Sequence, residues 1–339
     1  MGYVGSVLMI HLRKVFPQAY LTGYDMGYFA QCLTGEETLP EMRANCQYFG
    51  DTRTITSDFI SQFDTIVQLA AISNDPMGNK FEAVTNAINF EASASLASIA
   101  VGCGVKRFIF ASSCSIYGYT EEGARTEEDE LEPLTAYARS KVDTENALRQ
   151  LPEGEMVVTS LRFATACGMS DRLRLDLVLN DFVACAITSD KISILSDGSP
   201  WRPLINVKDM ARAIEWAITR DSSQGGANLT VNVGADESNF QVLNLAEITS
   251  ELIPKTSIII NKNAIPDKRS YRVDFSLYRK LAPKYQPQVS IQESIKEIMA
   301  GLERMKFSDV NFRSSELMRL KVLEKHIENR HLDSTLRWI

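Results

Sequence analysis

The chain has 339 residues, of which 45% are hydrophobic and 23% are charged, a balance typical of an ordinary globular protein. A chain of this length forms one large domain or two smaller ones. The formal net charge of -7 argues against a broad nucleic-acid-binding surface, so no nucleic acid is expected as a partner. No apolar run approaches the ~18 residues of a membrane-spanning helix, and no signal-peptide pattern follows Met1. We therefore expect no membrane partner either.

The six cysteines are scattered along the chain and contain no C-x-x-C pair. This argues against a disulfide framework or a zinc site and fits a reducing compartment. The three histidines, His11, His326 and His331, form no ligand cluster. We therefore expect a cytoplasmic protein without a metal centre.

Apolar strand-like runs alternate with helical patterns through the first two thirds of the chain. Strands are predicted at residues 19–25, 45–50, 65–71, 107–112 and 156–163. Helices are predicted at residues 6–15, 85–103 and 137–151. This alternation predicts βαβ units, and hence an α/β fold with a doubly wound parallel sheet.

After about residue 165 the loops lengthen and the predicted strands become isolated, at residues 192–195, 229–233 and 257–260. We interpret residues 1–165 as a first domain and residues 166–300 as a smaller region that crosses back to the sheet. Residues 301–339 are interpreted as a helical C-terminal extension. Within it, the Arg, Lys, Glu and Leu content of residues 307–339 predicts one or two amphipathic helices.

The chain opens with Gly2 and Gly5 just before an apolar helical pattern, like the end of a G-x-x-G-x-x-G phosphate-binding turn. Gly2 would let the backbone approach a pyrophosphate, and the helix N-terminus would bind the anion. The alternative is a glycine pair at an ordinary helix start. A full motif needs a preceding strand and a first glycine, so we expect the first strand of the sheet to be missing. Either an N-terminal segment is absent or the protein is truncated and binds its cofactor weakly.

Two acidic residues follow predicted strands at the positions that a dinucleotide site uses. Asp25 lies about 20 residues after Gly5, where an acid accepts hydrogen bonds from the adenosine ribose. An acid there repels a 2′-phosphate, which favours NAD over NADP. Asp51 ends the next strand and could meet the adenine. For both residues, a turn or a helix cap is the alternative.

Tyr137 and Lys141 are four residues apart on a predicted helix and therefore share a face. A fixed cation favours the phenolate, so we expect Lys141 to lower the pKa of Tyr137 below its usual value of about 10. A lowered pKa makes Tyr a usable acid or base. Ser113 lies upstream and could hold the substrate oxygen. The spacing alone is common, and a solvated Tyr beside a solvated Lys is the alternative.

Several segments together resemble the extended short-chain dehydrogenase/reductases, specifically the NAD-dependent nucleotide-sugar epimerase/dehydratase family. They include Gly-Tyr-Val-Gly-Ser at residues 2–6, Ala-Ser-Ser-Cys-Ser-Ile-Tyr-Gly at 111–118 and the Tyr-x-x-x-Lys motif. They also include Leu-Arg-Phe-Ala-Thr at 161–165 and Trp-Arg-Pro-Leu-Ile-Asn-Val-Lys-Asp at 201–209. The resemblance covers roughly residues 1–300. It implies a Rossmann-like fold with UDP-glucose 4-epimerases as close analogues, and a homodimer.

The resemblance also implies roles for individual residues. Tyr137 would be the acid/base, Ser113 its hydroxyl partner and Lys141 a ribose-binding cation. The cofactor NAD would contact these and Gly2, Tyr3, Val4, Gly5, Asp25, Asp51, Thr52, Leu69, Ala70, Ala71, Asn89, Ser112, Phe163 and Ala164. A nucleotide-diphosphate sugar would contact Ser113, Ser115, Asn180, Arg202 and Arg269. The two arginines would clamp the diphosphate. The alternatives are a buried, bonded Asn89, a cap or turn at Asn180, and surface ion pairs for the arginines.

In the family, Tyr removes a proton from a sugar hydroxyl while NAD takes hydride from the same carbon, which gives a 4-keto sugar. A 4,6-dehydratase needs an Asp-Glu pair directly after the Ser/Thr, and this chain has Cys114 and Ser115 there. We therefore expect a nucleotide-sugar 4-epimerase. The alternatives are a 4-ketoreductase or another nucleotide-sugar oxidoreductase, and a sensor that binds dinucleotide without catalysis.

Overall fold

The computed structural model describes residues 1–35, 39–120, 123–152, 154–261 and 269–339. Its strands are β1 (Thr22–Asp25), β2 (Cys46–Phe49), β3 (Thr65–Gln68), β4 (Arg107–Ser113), β5 (Val157–Phe163), β6 (Thr165–Cys167), β7 (Lys191–Ile194), β8 (Trp201–Asn206), β9 (Asn228–Val233), β10 (Asn239–Gln241) and β11 (Ser257–Ile260). Its helices are α1 (Tyr3–Val15), α2 (Ser57–Ile60), α3 (Asp75–Lys80), α4 (Glu82–Thr85), α5 (Ala92–Gly102), α6 (Ala136–Arg149), α7 (Val178–Ser189), α8 (Val207–Thr219), α9 (Val242–Leu252), α10 (Ser276–Leu281), α11 (Ile291–Arg304) and α12 (Arg319–Glu328). A wider π-helical turn, Asn86–Glu91, joins α4 to α5.

The main sheet has four parallel strands in the order β3-β4-β5-β9. Phe108, Ile109 and Phe110 of β4 are at most 1% exposed, because strands of a parallel sheet are covered on both faces. This apolar run is the feature that predicts the strand at residues 107–112. The α/β class with a parallel sheet is confirmed.

The strands β1 and β2 form a separate parallel pair. In the described part of the chain no ladder joins β1 to β3, so the Rossmann-like strands fall into two sheets. The N-terminal end of α1 lies beside the carboxyl ends of both. A Cβ on Gly5 would lie 4.0 Å from Leu69 after β3, and the Met1 amino group contacts Asp25 at the end of β1.

The chain after β5 builds a second group of strands and then returns to the main sheet. β8 pairs with β6 in parallel and with β10 antiparallel, and β7 pairs with β11. α8 then packs against α1, and β9 joins the edge of β5. Through this crossover, α8, which follows β8 directly, packs against β4 and β5 of the main sheet.

The C-terminal segment (residues 319–339) contains one α-helix, α12, which is followed by turns and an isolated bridge between Leu332 and Trp338. The prediction of one or two amphipathic helices over residues 307–339 agrees with α12, which buries Arg319, Val322 and Leu323. Leu323, Leu332 and Leu336 are at most 2% exposed, in a cluster with Tyr28. No helix among the described residues is long and apolar enough to cross a membrane.

The short helix α3 packs tightly on the start of α6. Gly78 of α3 is buried, and a Cβ placed on it would lie 3.2 Å from the backbone nitrogen of Tyr137 and 3.3 Å from its Cβ. A larger residue at this contact would have to displace Tyr137 or α3 by a few tenths of an ångström, so α3 packs closely on the predicted acid/base.

We expect Gly78→Val to push α3 away from Tyr137. Such overpacking costs about 1–3 kcal/mol of the free energy of unfolding, measured by urea denaturation. Gly102→Val is the matched control, because a Cβ on Gly102 of α5 would meet no atom within 4 Å. Both variants place Val in a helix, so equal effects on stability would contradict the packing argument.

Candidate functional site

The predicted acid/base set consists of Ser113, Tyr137 and Lys141, and these three residues lie close together in the structure. Thr135 caps α6 by accepting a hydrogen bond from Ala138 N at 3.1 Å, so that the helix begins just before Tyr137. Ser113 ends β4, and its hydroxyl hydrogen-bonds with Tyr137. The Lys141 ammonium lies 5.5 Å from the centroid of the Tyr137 ring.

The pKa of Tyr137 is raised to about 12, mainly by burial, which disfavours the charged phenolate. The Ser113 hydrogen bond opposes this shift and the nearby Asp75 carboxylate adds to it. The expectation that Lys141 lowers this pKa is therefore wrong for the structure without ligands. The Lys141 ammonium donates to the Ala111 carbonyl at 2.7 Å.

Burial also lowers the pKa of Lys141, to about 7, against a smaller opposing effect of Glu145. An ammonium has three N–H donors, and the hydrogen bond recorded for Lys141 within the described chain uses one of them. A buried ammonium with donors to spare fits a pair of ribose hydroxyls. On this test the site suits the NAD that the sequence implies.

The phosphate end of the site is the N-terminus of α1. Gly2 occupies the cap position without a side-chain cap, and a Cβ there would meet no atom within 4 Å. Tyr3 anchors the helix start, because its hydroxyl donates to the Gly168 carbonyl at 2.8 Å. Val4 and Gly5 follow in the first turn. Open space beside uncapped N–H groups fits a pyrophosphate.

Asp25 and Asp51 lie where the sequence predicts them, at the ends of β1 and β2. Asp25 accepts hydrogen bonds from Gly27 N at 2.6 Å and from the Met1 amino group. Asp51 caps the turn that begins at Thr52 and pairs with Arg53 at 2.6 Å. Both therefore have the turn and cap roles named as alternatives, and their contacts with adenosine stay predictions.

The C-terminal segment lies across these two loops. Arg53 donates to the Thr335 carbonyl at 2.8 Å, and Arg337 approaches Asp51 at 3.5 Å. The Trp338 indole donates to the Met26 carbonyl at 2.7 Å. Sequence reasoning missed this arrangement, since nothing in the segment itself indicates what it packs against.

Asn89 holds the loop after β3 against α6. Its side-chain oxygen accepts from Ile72 N at 2.8 Å, while its amide donates to the Ile72 carbonyl and to Ser140 Oγ, each at 3.0 Å. It is a buried, bonded Asn, as the alternative reading had it. Ala70 and Ala71 lie in the loop that it fixes, so their predicted backbone contacts with a cofactor depend on Asn89.

Three further cofactor candidates lie at the carboxyl ends of β4 and β5. The Ser112 hydroxyl is buried and donates to Glu145 at 2.5 Å. Phe163 is 4% exposed, and Ala164 N donates to the Val233 carbonyl at 3.0 Å. Their ligand contacts stay predictions, and their present contacts shape the floor of the site.

Among the predicted substrate contacts, Ser115 lies beside the acid/base set, because it accepts the Ser113 hydroxyl at 2.9 Å. Asn180 is fully buried and supports the loop before α7: it accepts from Gly168 N at 3.1 Å and donates to the Arg174 carbonyl at 2.9 Å. Its predicted diphosphate contact stays a prediction. Sequence reasoning gave no hint of this internal role.

Arg202 and Arg269 lie next to each other, since the Arg202 guanidinium donates to the Arg269 carbonyl. Arg269 in turn pairs with Asp75, the first residue of α3. Sequence reasoning missed Asp75 and also Arg174, a buried guanidinium that acts on Tyr137. The only sequence signal at Asp75 is the helix start that precedes Pro76.

Comparison with known proteins shows which family the chain matches. Residues 1–234 match the model of the NAD dependent epimerase/dehydratase family. A UDP-glucose 4-epimerase of Lacticaseibacillus casei is 26% identical over 276 residues, which are 75% of this chain and 81% of that protein. A low-salt glycan biosynthesis protein of Haloferax volcanii, Agl12, is 23% identical over 189 residues. That match covers 56% of this chain and 60% of the Haloferax protein.

Among solved structures, the chain is similar to TunA, an NAD dependent-NDP-hexosamine 5,6-dehydratase involved in tunicamycin biosynthesis. The TM-score is 0.77 at 19% identity, and the match covers 91% of this chain and 96% of TunA. At this identity the likeness concerns the fold.

We expect Lys141→Met to remove the cost of burying an ammonium. The folded-state pKa of about 7 lies below the ordinary 10.5, so the unfolded chain binds the proton more tightly than the folded one. Wild-type stability should therefore rise with pH between about 7 and 10, and Lys141→Met should lack that rise. Below pH 7 the variant should be more stable, on the order of a few kcal/mol. Urea denaturation across this range measures both.

The matched control is Lys106→Met, because Lys106 is exposed and its ion pair with Glu155 lies at the surface. It should follow the wild-type pH dependence. A Lys141→Met variant with the same pH dependence as the wild type would show that the burial of this ammonium carries no cost.

Proposed function

The chain belongs to the NAD dependent epimerase/dehydratase family, and we propose that it catalyses 4-epimerisation of a nucleotide-diphosphate sugar through a transient 4-keto sugar. NAD is the cofactor of this family. The nucleotide-sugar substrate class is supported by the UDP-glucose 4-epimerase and the NDP-hexosamine dehydratase to which the chain is similar. The choice of epimerisation rests on the chemistry of the site.

The observation that carries the proposal is an intact acid/base set without carboxylates in the two positions that follow it. Cys114 is buried, its thiol donates to the Arg162 carbonyl at 3.0 Å, and burial raises its pKa well above the ordinary value. Ser115 offers a hydroxyl. Neither group can protonate a leaving hydroxyl as an acid, so elimination is disfavoured and return of hydride to the sugar is favoured.

The chain's own residues then have distinct roles. Ser113 holds the C4 oxygen of the sugar, and Tyr137 removes the hydroxyl proton as the C4–H bond breaks. Lys141 binds ribose hydroxyls and stabilises the phenolate once its ammonium is charged. Bound NAD supplies the hydride acceptor for C4 and later the hydride that restores it. When hydride returns to C4, Tyr137 would give its proton back to the C4 oxygen, and return to the opposite face of the keto sugar would leave C4 inverted.

The Arg202 and Arg269 pair supports a diphosphate substrate. Arg202 of β8 donates to the Arg269 carbonyl, and each of the two arginines carries a planar guanidinium fork of the kind that matches phosphate oxygens in pairs. The pair lies near the acid/base set because Arg269 contacts Asp75, which acts on Tyr137. A diphosphate bound there would place its sugar toward Tyr137.

We expect Tyr137→Phe to lower turnover about 10²- to 10⁴-fold, since it removes the group proposed to move the sugar proton. Nucleotide-sugar binding should change little, because the ring stays. Product formation from UDP-, dTDP-, GDP- and CDP-sugars is followed by NMR, and binding by calorimetry. Tyr20→Phe, at a 70% exposed position, is the matched control.

The products also discriminate between the functions. A C4 epimer with no net NADH supports the proposal, whereas a keto or reduced sugar with stoichiometric cofactor change indicates an oxidoreductase. NAD binding without conversion of any of the four sugar classes would indicate a sensor. Full activity of Tyr137→Phe would contradict the role of Tyr137.

A further inference from the structure

Asp75 connects the acid/base set to the arginine pair through two different oxygens. Its Oδ1 accepts a hydrogen bond from the Thr135 hydroxyl at 2.6 Å, and Thr135 caps the helix that carries Tyr137. Its Oδ2 forms an ion pair with Arg269. The Asp75 side chain is 16% exposed and that of Arg269 is 41% exposed. The carboxylate is therefore the inner partner and the guanidinium faces the solvent side.

The charges around this ion pair form one compact group. Arg202 donates to the Arg269 carbonyl, and its guanidinium lies 5.7 Å from the ring centroid of Tyr271. Asp75, Arg202 and Arg269 all act on the pKa of this buried tyrosine. A ligand that neutralises one member of the group therefore changes the field that the others create.

Asp75 also acts on Tyr137. The groups that face Tyr137 are Ser113, Asp75, Arg174, Cys114 and Lys141. Among these groups, the Asp75 carboxylate raises the pKa of Tyr137 and the Arg174 guanidinium lowers it. Asp75 is thus close enough to sense the arginine pair and the acid/base at once.

We propose that Asp75 is a positioning residue that holds Arg269 until the diphosphate of a nucleotide sugar takes its place, after which the released carboxylate faces the sugar beside Tyr137. The inference rests on the proposed function, because it takes the diphosphate as the ligand of Arg269. A guanidinium fork binds a carboxylate or a phosphate in the same planar way, so the two anions compete for it. Substrate binding thereby includes a charge exchange at Asp75.

The test is Asp75→Asn in the full chain loaded with NAD. The amide oxygen keeps the hydrogen bond from Thr135, while the charge that competes for Arg269 is lost. UDP, dTDP, GDP and CDP are titrated by calorimetry, and the best-binding nucleotide should bind about three- to tenfold more tightly to the variant. Equal or weaker binding overturns the inference, since a merely structural Asp75 would give no gain.

Two further variants separate the proposed exchange from a general charge effect. Glu82→Gln removes one negative charge from an exposed pair with Arg139 and should leave nucleotide affinity unchanged. In an Arg269→Gln background, Asp75→Asn should give no gain, because the competed group is absent. A gain that persists without Arg269 would overturn the exchange.

The pH dependence of turnover is a second readout. Tyr137 must lose its proton to act as the base, so kcat/KM rises as the pH passes its pKa. Removing the negative charge of Asp75 lowers that pKa, and the rising limb should move to lower pH in Asp75→Asn. An unmoved limb would show that the carboxylate does not act on Tyr137.

The outcomes also separate this inference from the proposed function. Tighter nucleotide binding to Asp75→Asn without turnover of any nucleotide sugar would keep the exchange and remove the epimerase. Epimerase turnover with unchanged nucleotide affinity in Asp75→Asn would support the epimerase and overturn the exchange. If none of the four nucleotides binds the wild type, both fall.

Discussion

A buried ion pair between Glu145 of α6 and Arg162 of β5 fixes the position of the acid/base set. The Arg162 side chain is 2% exposed and that of Glu145 is fully buried, and the two meet at 2.8 Å. Ser112 of β4 donates to the same carboxylate. Removing one partner of such a pair costs about 3–5 kcal/mol, because the other charge is left uncompensated. The pair therefore ties the helix with Tyr137 to the strand end beside Ser113.

Much of this arrangement could be predicted from sequence, because it depends on local patterns. The apolar run of β4 and the four-residue spacing of α6 indicate a buried strand and a helix face, and both are present. Strand order then brings Ser113 near Tyr137, as expected for carboxyl ends of parallel strands. Local patterns do not indicate how deeply a side chain is buried. Burial raises the pKa of Tyr137, whereas the sequence predicted that it is lowered.

Two of the contacts that sequence reasoning missed join residues far apart in the chain. Asp75 and Arg269 are 194 positions apart, and Arg53 and Thr335 are 282 apart. In neither pair do the two residues lie in the same helix or strand, so no periodic pattern in the sequence could indicate the contact. Asp75 lies near the site on α3, whose Gly78 packs closely on Tyr137 of α6, and this is a property of packing between two helices. The contacts of the C-terminal segment could not be predicted for the same reason. Its leucines indicate that one face is buried, but they do not indicate what that face packs against.

Desolvation acts on Tyr137 and Lys141 in the same direction, toward their uncharged forms. Burial at this site therefore disfavours charge on both side chains. A ligand that offers hydrogen-bond acceptors to Lys141 favours its ammonium, and a charged Lys141 close to the Tyr137 ring stabilises the phenolate in turn. A ligand that draws Arg269 away from Asp75 exposes a negative charge with the opposite effect on Tyr137. We therefore expect the protonation state of Tyr137 to depend on which of Lys141 and Arg269 has bound a ligand. Proton transfer from the sugar should become favourable only when a ligand has bound to Lys141.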